Sequence, residues 1–467
     1  MILALIPQPV LVQTTGGSFE LTAQTAFARP ADPAAARVAE LLAEALGLPV
    51  AADGEIRLEL DAAASGEESY TLDVDDSGVL LRAATAAGLF RGGQTLRQLV
   101  DNRTVPYVHI ADEPRFGYRS AMLDVARHFF DVTAIKRLLD QLAVYKFNRL
   151  HLHLSDDQGW RIELPSRPEL TVKASGFQVG DGPGGFYTQA DYAEIVAYAA
   201  DRFIELVPEI DVPGHVNAAV LAYPEIGADW FTAAPYSDTR VGFSALAHDK
   251  EQTYAFLTDV FTDLAAMSPG RYLHIGGDEV DKMAPEHFDA FVQRAARIAA
   301  ETGKTVVGWE EIVKTGVSAD VVAQYWGRHH GNDDEPFRAA MRRGTKAIVS
   351  PASRSYLDMK YDEASEFGLD WAGLVGVRKA YEWDPAEFLG DVPTENILGL
   401  EGALWSETVA TSAEAEYLLF PRLPGLAEIG WSPAGRDWDQ YRPRLAAHAD
   451  WWTTQGWNYY RAPEVWQ

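Results

Sequence analysis

The 467-residue sequence contains no cysteine, which excludes disulfide bonds, thiolate metal sites and cysteine nucleophiles. It also has no apolar run of about 18 residues, the length expected of a membrane-spanning helix. Cationic side chains are few: 40 lysines and arginines stand against 68 acidic residues, and the formal net charge is −28. Nucleic acids and anionic membranes attract cationic surfaces, so this acidity argues against either as a partner.

The amino-terminal segment lacks the features of a secretory signal peptide. Residues 1–7 form a short apolar run without a basic segment before it or a small-residue cleavage site after it. We interpret this run as a first β-strand and expect a cytoplasmic protein, while secretion stays open if a signal peptide was removed. The expected oligomeric state is a monomer or a homodimer.

Residues 1–112 predict a small α+β domain. Apolar alternation and helical spacing indicate strands at 18–23, 55–60, 70–74, 79–82 and 107–110, and helices at 33–46 and 86–100. This part carries no catalytic constellation. The predicted boundary lies at 112–115, which gives an amino-terminal domain at 1–112 and a catalytic domain at 113–467.

From residue 113 onward, strand-like runs mostly alternate with helical patterns. Eight such runs occur, at 120–125, 149–154, 203–210, 272–275, 305–309, 321–326, 346–349 and 397–405. Four helical patterns lie between the first five of these runs, at 132–145, 192–202, 251–267 and 285–302. Repeated strand–helix units predict a parallel sheet, and eight of them predict a (β/α)8 barrel. A doubly wound open sheet is the alternative, although no glycine-rich phosphate loop follows the first of these strands.

Polar and aromatic residues stand at the carboxyl ends of nearly all these strands. They are Asp124, Arg127, Asp156, Asp157, His215, Asp278, Glu279, Trp309, Trp326, Tyr356, Asp358, Trp405 and Glu407. Barrel enzymes place their chemistry at that face. We therefore expect these side chains to line one pocket.

The stretch around Asp278 and Glu279 organises the pocket. Neighbouring residues of a regular strand point to opposite faces, so both acids can enter one pocket only if the chain bends at Gly276 and Gly277. Two solvated acids at the start of a loop are the alternative. Adjacent carboxylates are poorly placed to straddle a glycosidic bond, which suggests that one protonates the leaving group while the other orients the substrate. That division anticipates attack by a 2-acetamido group of the sugar itself.

The aromatic residues fit such an acetamido group. Trp309, Trp326 and Trp405 each close a predicted strand and could wall a small methyl group, and Tyr356 could donate to the amide oxygen. Packing at the barrel end is the alternative for each ring. The guanidinium of Arg127 suits vicinal hydroxyls. Asp358 and Glu407 could accept hydroxyl protons, with ordinary ion pairs as the alternative for these three residues.

The pair His151 and His153 opens a second interpretation. Both rings fall on one side of a strand, as in metal-dependent barrel hydrolases, and His215 with Asp278 could complete a zinc site. The tryptophans would then have no role. The other reading is that Asp156 fixes His215, which in turn tunes the acid.

These segments resemble glycoside hydrolase family 20, the β-N-acetylhexosaminidases. The motifs that carry the resemblance are LDVARH at 123–128, HLHLSDDQGWR at 151–161, EIDVPGH at 209–215, HIGGDE at 274–279, GWEE at 308–311, QYW at 324–326, YLD at 356–358 and LWSE at 404–407. Residues 1–112 resemble the α+β domain that precedes the barrel in this family. The resemblance implies a retaining, exo-acting enzyme for terminal β-linked GlcNAc or GalNAc, with no metal or organic cofactor.

The resemblance also implies individual roles. Glu279 would be the general acid and base with a raised pKa, Asp278 would orient the acetamido nitrogen, and Tyr356 would bind its oxygen. The substrate site would comprise Arg127, Asp156, His215, Trp309, Trp326, Asp358, Trp371, Trp405 and Glu407. Within that set Asp156 and His215 resemble the supporting pair behind Glu279, and Trp371 resembles the platform for the next sugar. A lacto-N-biosidase-like specificity, a metal-dependent hydrolase and a catalytically silent sugar-binding protein are the alternatives.

Overall fold

The computed structural model describes residues 3–327 and 334–467. A seven-stranded mixed sheet comes first along the chain, and a closed barrel of eight parallel strands follows. This arrangement confirms the predicted α+β unit and (β/α)8 barrel. Within the described ranges, no helix combines the length and the apolar character needed to cross a membrane.

The amino-terminal sheet packs against two helices. Its strands are β1 (Leu11–Glu20), β2 (Phe27–Ala28), β3 (Val50–Ala51), β4 (Ile56–Leu60), β5 (Tyr70–Asp75), β6 (Gly78–Ala83) and β7 (Thr104–Asp112), in the spatial order β1-β7-β5-β6-β4-β2-β3. The helices are α1 (Pro33–Leu46) and α2 (Ala86–Leu99). Helix α1 begins where the Asp32 carboxylate accepts from the N–H of Ala35 and ends at Gly47, whose φ is +64°.

The predicted first strand is wrong. Residues 3–7 form no strand, residues 1 and 2 lie outside the described residues, and the first strand is β1. The half-buried strand expected at 18–23 is the end of β1, an antiparallel partner of β7 at the sheet edge that is mostly exposed. Because β1 is mostly exposed, residues 11–17 show little apolar alternation, and the sequence predicts only the end of this strand.

The barrel strands follow in chain order around the ring. They are β8 (Tyr118–Asp124), β9 (Arg149–His153), β10 (Glu205–Glu209), β11 (Tyr272–His274), β12 (Thr305–Trp309), β13 (Val322–Tyr325), β14 (Ala347–Val349) and β15 (Ile397–Leu404). Each coincides with one of the eight predicted runs within a few residues. Strand β15 pairs with β8 and closes the barrel.

Helices cover the barrel and connect its strands. They are α3 (Val132–Val144), α4 (Glu169–Ala174), α5 (Gln189–Ala200), α6 (Asn217–Ala222), α7 (Glu251–Met267), α8 (Pro285–Glu301), α9 (Glu335–Arg342), α10 (Ala352–Ser355), α11 (Val377–Tyr381), α12 (Pro385–Phe388), α13 (Ser412–Leu419), α14 (Arg422–Trp431), α15 (Trp438–Thr454) and α16 (Pro463–Trp466). Short 3₁₀ turns include Glu310–Lys314 directly after β12. Helix α7 has the bounds that the sequence predicted.

The barrel interior changes from apolar to polar along its axis. Seven packed side chains form an apolar layer toward the amino ends of the strands: Tyr118, Val207, Tyr272, Val307, Val322, Ile348 and Leu398. Closer to the carboxyl ends, buried His151, Glu209, Gln324 and Glu401 replace them. Buried polar groups of this kind require hydrogen-bond partners. They form the layer directly beneath the candidate site.

The amino-terminal domain packs at the other end of the barrel. The Glu68 carboxylate accepts from Arg119 at 2.6 Å and from Asn148 at 3.1 Å, beside the starts of β8 and β9. Lys146 pairs with Asp112 at 2.9 Å. The carboxyl ends of the strands, where the predicted site residues stand, therefore lie away from this interface.

Candidate active site

The turn after β11 directs the side chains of Asp278 and Glu279 toward the same histidine, His215. Gly276 and Gly277 have φ values of +68° and +108°, and Glu279 itself has a φ of +50°. A side chain on Gly276 would meet Asp211 Oδ1 at 1.7 Å, so only glycine fits there. His215 Nε2 lies 3.9 Å from Asp278 Oδ2 and 3.5 Å from Glu279 Oε2. The predicted bend is present, and both acids face the same imidazole.

Behind His215, the Asp156 carboxylate is surrounded by donors. Its Oδ1 lies 3.1 Å from His215 Nδ1, and its Oδ2 lies 2.8 Å from both Arg127 Nη2 and His153 Nε2. Burial alone would raise the pKa of Asp156, but the charges of Arg127 and His215 hold that pKa well below its usual range. Burial would lower the pKa of His215, yet Asp156 raises it well above its usual value. Asp156 and His215 therefore form an ion pair beside Glu279.

A second carboxylate, Glu209, occupies the same kind of position one layer deeper. His153 Nδ1 lies 2.6 Å from Glu209 Oε2, and Trp309 Nε1 donates to Glu209 Oε1 at 2.9 Å. His151 Nε2 is 3.0 Å from Glu209 Oε2, and its Nδ1 is 3.0 Å from Glu401 Oε1. His153 thus joins the two carboxylates, and Glu209 joins the acid side of the site to a tryptophan of the predicted pocket.

In this network, carboxylates of the protein contact both nitrogens of His151 and of His153, the two histidines that suggested a metal site. His151 lies between two carboxylates; burial would lower its pKa, but Glu401 and Glu209 raise it to about 9. A protonated imidazole has no lone pair for a metal. Triplets such as His151, Glu209 and His274 do bring three ligand atoms within 4.8 Å of one another. The predicted zinc set, however, is split, because His151 faces Glu209 whereas His215 faces Asp156 and Asp278.

Asp278 belongs to a pair of acids. Its carboxylate, that of Asp211 and the His215 ring bring ligand atoms within 4.8 Å of one another. Burial raises the pKa of Asp211 to about 7. Burial, and next the charge of Asp211, raise the pKa of Asp278 well above its usual value. Two buried carboxyls at such close range hold one proton more firmly than separate ones would.

The predicted aromatic pocket forms as a cluster of its own. Buried Trp309 packs 5.8 Å from Trp405 between ring centroids, and Tyr356 lies 6.4 Å from Trp326 and 6.2 Å from Trp405. Trp371, half exposed, meets Trp326 at 6.0 Å and Tyr356 at 5.9 Å. Met122 and Met359 pack into the same cluster.

Two glutamates after β12 fix the next tryptophan along the barrel. Glu310 Oε2 accepts from the backbone N–H groups of Trp326 at 3.0 Å and of Gly327 at 2.7 Å. Glu311 Oε2 accepts from Trp326 Nε1 at 3.1 Å. The 3₁₀ turn that follows β12 therefore fixes both the backbone and the indole of Trp326.

The predicted hydroxyl binders lie at the side of the barrel mouth opposite β11, where Arg127 and Asp358 are buried and Glu407 is half-buried. Asp358 is 1% exposed, and no side chain of the described residues donates a hydrogen bond to either of its oxygens. Burial, and next the charge of Glu407, raise the pKa of Asp358 well above its usual value. The pKa of Glu407 is also raised, by burial, against the lowering effect of Arg127. Arg127 lies 5.0 Å above the Trp405 ring and contacts Asp124 at 3.2 Å.

Known proteins match the whole of this arrangement. The model of glycosyl hydrolase family 20, catalytic domain, matches residues 116–434, and that of its domain 2 matches residues 3–113. A β-N-acetylhexosaminidase of Cellulomonas fimi is 45% identical over 99% of this chain and 97% of its own.

The chain belongs to glycoside hydrolase family 20. Solved structures of the family agree with its fold. The N-acetyl-β-hexosaminidase of Streptomyces plicatus in complex with Thio-NAglucal superposes with a TM-score of 0.97, 46% identity, and coverage of 99% of this chain and 97% of that one. A mutant of the S. plicatus enzyme in complex with product GlcNAc gives the same TM-score and identity, and covers 100% and 98%.

Sequence reasoning missed the deeper members of this family 20 site. Glu209, Asp211 and Glu401 were not assigned, although the first two stand in the motif that supplied His215. A signal was present: Glu209 and Asp211 are two apart at the end of an otherwise apolar run, which places two acids on one side of a buried strand. Buried carboxylates need partners, so that pattern indicates a network.

Proposed function

We propose that this family 20 enzyme is a retaining, exo-acting β-N-acetylhexosaminidase that removes terminal β-linked GlcNAc or GalNAc by substrate-assisted catalysis. One observation supports this proposal most directly: Asp278 and Glu279 both lie within 4 Å of His215 Nε2, but their side chains differ in solvent exposure. The Glu279 side chain is 24% exposed and the Asp278 side chain 10% exposed. Glu279 therefore suits a leaving group and water at the mouth, whereas Asp278 suits a substrate group within the pocket.

This geometry does not suit the usual pair of carboxylates. A retaining glycosidase with its own nucleophile holds two carboxyl groups about 5–5.5 Å apart on either side of the bond. Here both acids lie on one side, within 4 Å of His215 Nε2. Attack from the other face would then come from the substrate, through the oxygen of its 2-acetamido group.

The aromatic cluster supports an acetamido group as the occupant of the pocket. Trp309, Trp326 and Trp405 supply apolar walls for the methyl group. Burial, and next the charge of Asp278, raise the pKa of Tyr356 well above its usual value, so its hydroxyl keeps the proton that it would donate to the acetamido oxygen. Asp278 would accept the acetamido N–H, and the one negative charge that Asp211 and Asp278 keep between them would offset the positive charge as the ring closes.

The reaction would have two steps. In the first, the acetamido oxygen attacks C1, the bond from C1 to the leaving oxygen breaks, and Glu279 gives its proton to that oxygen. An oxazolinium-type ring results. In the second, Glu279 takes a proton from water, the water oxygen bonds to C1, and the ring opens. The product keeps the β configuration, because C1 is inverted twice.

The buried hydroxyl binders support exo action on one terminal sugar. Arg127 and Asp358 are buried in the barrel mouth and Glu407 is half-buried, so hydroxyls of the terminal ring are suitable partners for them. Such a closed end favours a single N-acetylhexosamine over the disaccharide that a lacto-N-biosidase releases. The expected substrate is therefore an oligosaccharide or glycoside that ends in β-linked GlcNAc or GalNAc.

The test is a side-by-side assay of an aryl β-N-acetylglucosaminide and the matching aryl β-glucoside. Turnover of the first alone is expected, because the glucoside has no acetamido group to attack C1 or to fill the aromatic pocket. Comparable turnover of both would contradict the proposal, since the enzyme would then supply its own nucleophile. Activity that disappears with a chelator and returns with zinc would instead favour a metal-dependent hydrolase.

A further inference from the structure

Two aromatic side chains stand out by their exposure. Among the described phenylalanines, tyrosines and tryptophans, only Trp230 and Trp371 are strongly exposed, each at 50%. Both stand in loops that follow the carboxyl ends of barrel strands, Trp230 after β10 and Trp371 after β14. Exposed large apolar groups on an active-site face often mark a binding surface.

Trp371 touches the pocket already described, but Trp230 does not. Trp371 packs edge-on against Trp326 and Tyr356. The ring neighbour of Trp230 is Phe231, at 6.2 Å, which in turn lies 6.1 Å from Phe243. Trp230 thus tops a separate aromatic group on another part of the rim.

The barrel order shows which part of the substrate would approach Trp230. The hydroxyl binders Arg127, Asp358 and Glu407 follow β8, β14 and β15, which are neighbours in the ring. In an eight-stranded ring β11, which carries Glu279, lies opposite β15. The far end of the terminal sugar would sit near β14, β15 and β8, and the bond to be cleaved would face β11. The leaving group would therefore depart past β11 and its neighbour β10, whose loop carries Trp230.

Direct contacts tie this loop to the turn of Glu279. A side chain on Gly242 would lie 3.4 Å from the backbone oxygen of Glu279. Phe243, the next residue, belongs to the aromatic group of Trp230. From the other side, Lys282 Nζ, three residues beyond Glu279, lies 5.4 Å from the Trp230 ring centroid. Residues of the turn that carries Glu279 therefore lie beside both the Trp230 ring and the loop that holds it.

The loop is also fixed in place. Asn217 donates to Ala234 O at 2.9 Å and accepts from Ala234 N at 3.2 Å. The Ser244 hydroxyl donates to Asp157 Oδ1 at 2.5 Å, and Asp157 is the neighbour of Asp156. An exposed ring on a loop held by such bonds is a preorganised platform, which loses little entropy when a ligand stacks on it.

We propose that Trp230 forms an outer leaving-group subsite, which binds the second sugar beyond the cleaved bond in a β-linked N-acetylglucosamine oligosaccharide. The inference rests on the proposed function. Trp371 would contact the first sugar of the leaving group, and Trp230 the next one. A sugar ring presents C–H groups on its faces and hydroxyls at its rim, which suits an indole with a lysine ammonium beside it.

The test compares kcat/KM for three substrates: 4-nitrophenyl β-N-acetylglucosaminide, the β-1,4-linked GlcNAc dimer and the trimer. Only the trimer reaches the outer subsite. We expect Trp230→Ala to lower kcat/KM for the trimer about five- to tenfold and to leave the other two within about twofold. Trp230→Phe should keep most of the trimer activity. Val172→Ala, which shortens another exposed apolar side chain, is the matched control and should change none of the three.

The possible outcomes separate this inference from the proposed function. Loss of the wild-type preference for trimer over dimer in Trp230→Ala supports the outer subsite. An unchanged trimer-to-dimer ratio, or an equal loss on all three substrates, overturns it. A wild-type enzyme that cleaves the nitrophenyl substrate but shows no preference for the trimer also overturns it. Failure of the wild-type enzyme on the nitrophenyl substrate would contradict the proposed function itself.

Discussion

Asp156 and Asp358 are the same residue type with the same 1% exposure, yet their surroundings are opposite. Asp156 contacts Arg127, His153 and His215, and its pKa lies well below the usual range. Asp358 receives no hydrogen bond from any side chain in the described part of the chain, and its pKa lies well above that range. The pKa values thus move in opposite directions at equal burial.

The same contrast separates whole regions of the site. On the side of β9 and β10, Asp156 and Glu209 are saturated with donors from the protein. On the side of β14 and β15, neither oxygen of buried Asp358 nor Oε2 of half-buried Glu407 receives a hydrogen bond from a side chain of the described residues. A buried carboxylate without donors is costly, and such groups persist where a ligand supplies the donors. We therefore propose that the first region holds the catalytic acid in place and that the second binds sugar hydroxyls.

The largest expected effect concerns Glu279, which the saturated region positions through His215. Glu279→Gln removes the proton donor, so kcat/KM for a poor leaving group such as the second sugar of the β-1,4-linked GlcNAc dimer should fall about 10²- to 10⁴-fold. A dinitrophenyl glycoside needs little protonation and should lose much less. Steady-state assays of both substrates check this, and equal losses on the two would contradict the role of Glu279 as acid.

Asp358→Asn tests the donor-poor region. In the complex, the sugar hydroxyls donate hydrogen bonds that favour an ionised Asp358 carboxylate, so its loss should lower kcat/KM about 10- to 100-fold. The free energy of unfolding should not fall, because burial opposes the charge of the wild-type carboxylate and no side chain of the described residues donates a hydrogen bond to it. Kinetics together with denaturant unfolding measure both quantities, and a marked loss of stability would show that Asp358 is a structural residue.

Asp156→Asn is the matched change in the donor-rich region. It leaves Arg127, His153 and His215 facing a neutral amide, and the free energy of unfolding should fall by about 3–5 kcal/mol. Activity should fall as well, because His215 loses the partner that orients it toward Glu279. If the two variants are equally stable in denaturant titrations, the distinction between the two regions is wrong.

The smallest effect is the pH dependence of stability. The ordinary pKa of Asp is about 3.9, and that of folded Asp358 is raised above it. The folded protein then holds this proton more tightly than the unfolded chain, so stability falls as pH rises from about 4 through the raised pKa. Asp358→Asn should therefore be more stable than wild type at pH 7, and the gain should vanish near pH 4. Melting curves that show a pH-independent difference would contradict this.

Most of the fold can be predicted from local sequence patterns. The barrel strands are apolar runs, and the bounds of α7 and of β12 match the prediction because helix spacing and strand length are local properties. Turn residues such as Gly276 and Gly277 also marked where the acids had to enter the pocket. The edge strand β1 is predicted only at its end, because residues 11–17 are mostly exposed and show little apolar alternation.

The contacts between residues of the site could not be predicted from the sequence. Glu401 lies 250 positions from His151, and nothing local to either residue encodes their contact. The exposure of Trp230 likewise depends on how its loop packs against the turn of Glu279. The boundary at 112–115, the cytoplasmic location and the monomeric or homodimeric state remain predictions.

The most direct test of substrate assistance changes the substrate. Aryl glucosaminides with acetyl, fluoroacetyl, difluoroacetyl and trifluoroacetyl groups carry acyl oxygens of steadily lower nucleophilicity at nearly constant size. If that oxygen attacks C1, kcat/KM should fall steeply with each added fluorine. A flat series would mean that the enzyme supplies the nucleophile, and the roles proposed for Asp278, Tyr356 and the three pocket tryptophans would have to be abandoned.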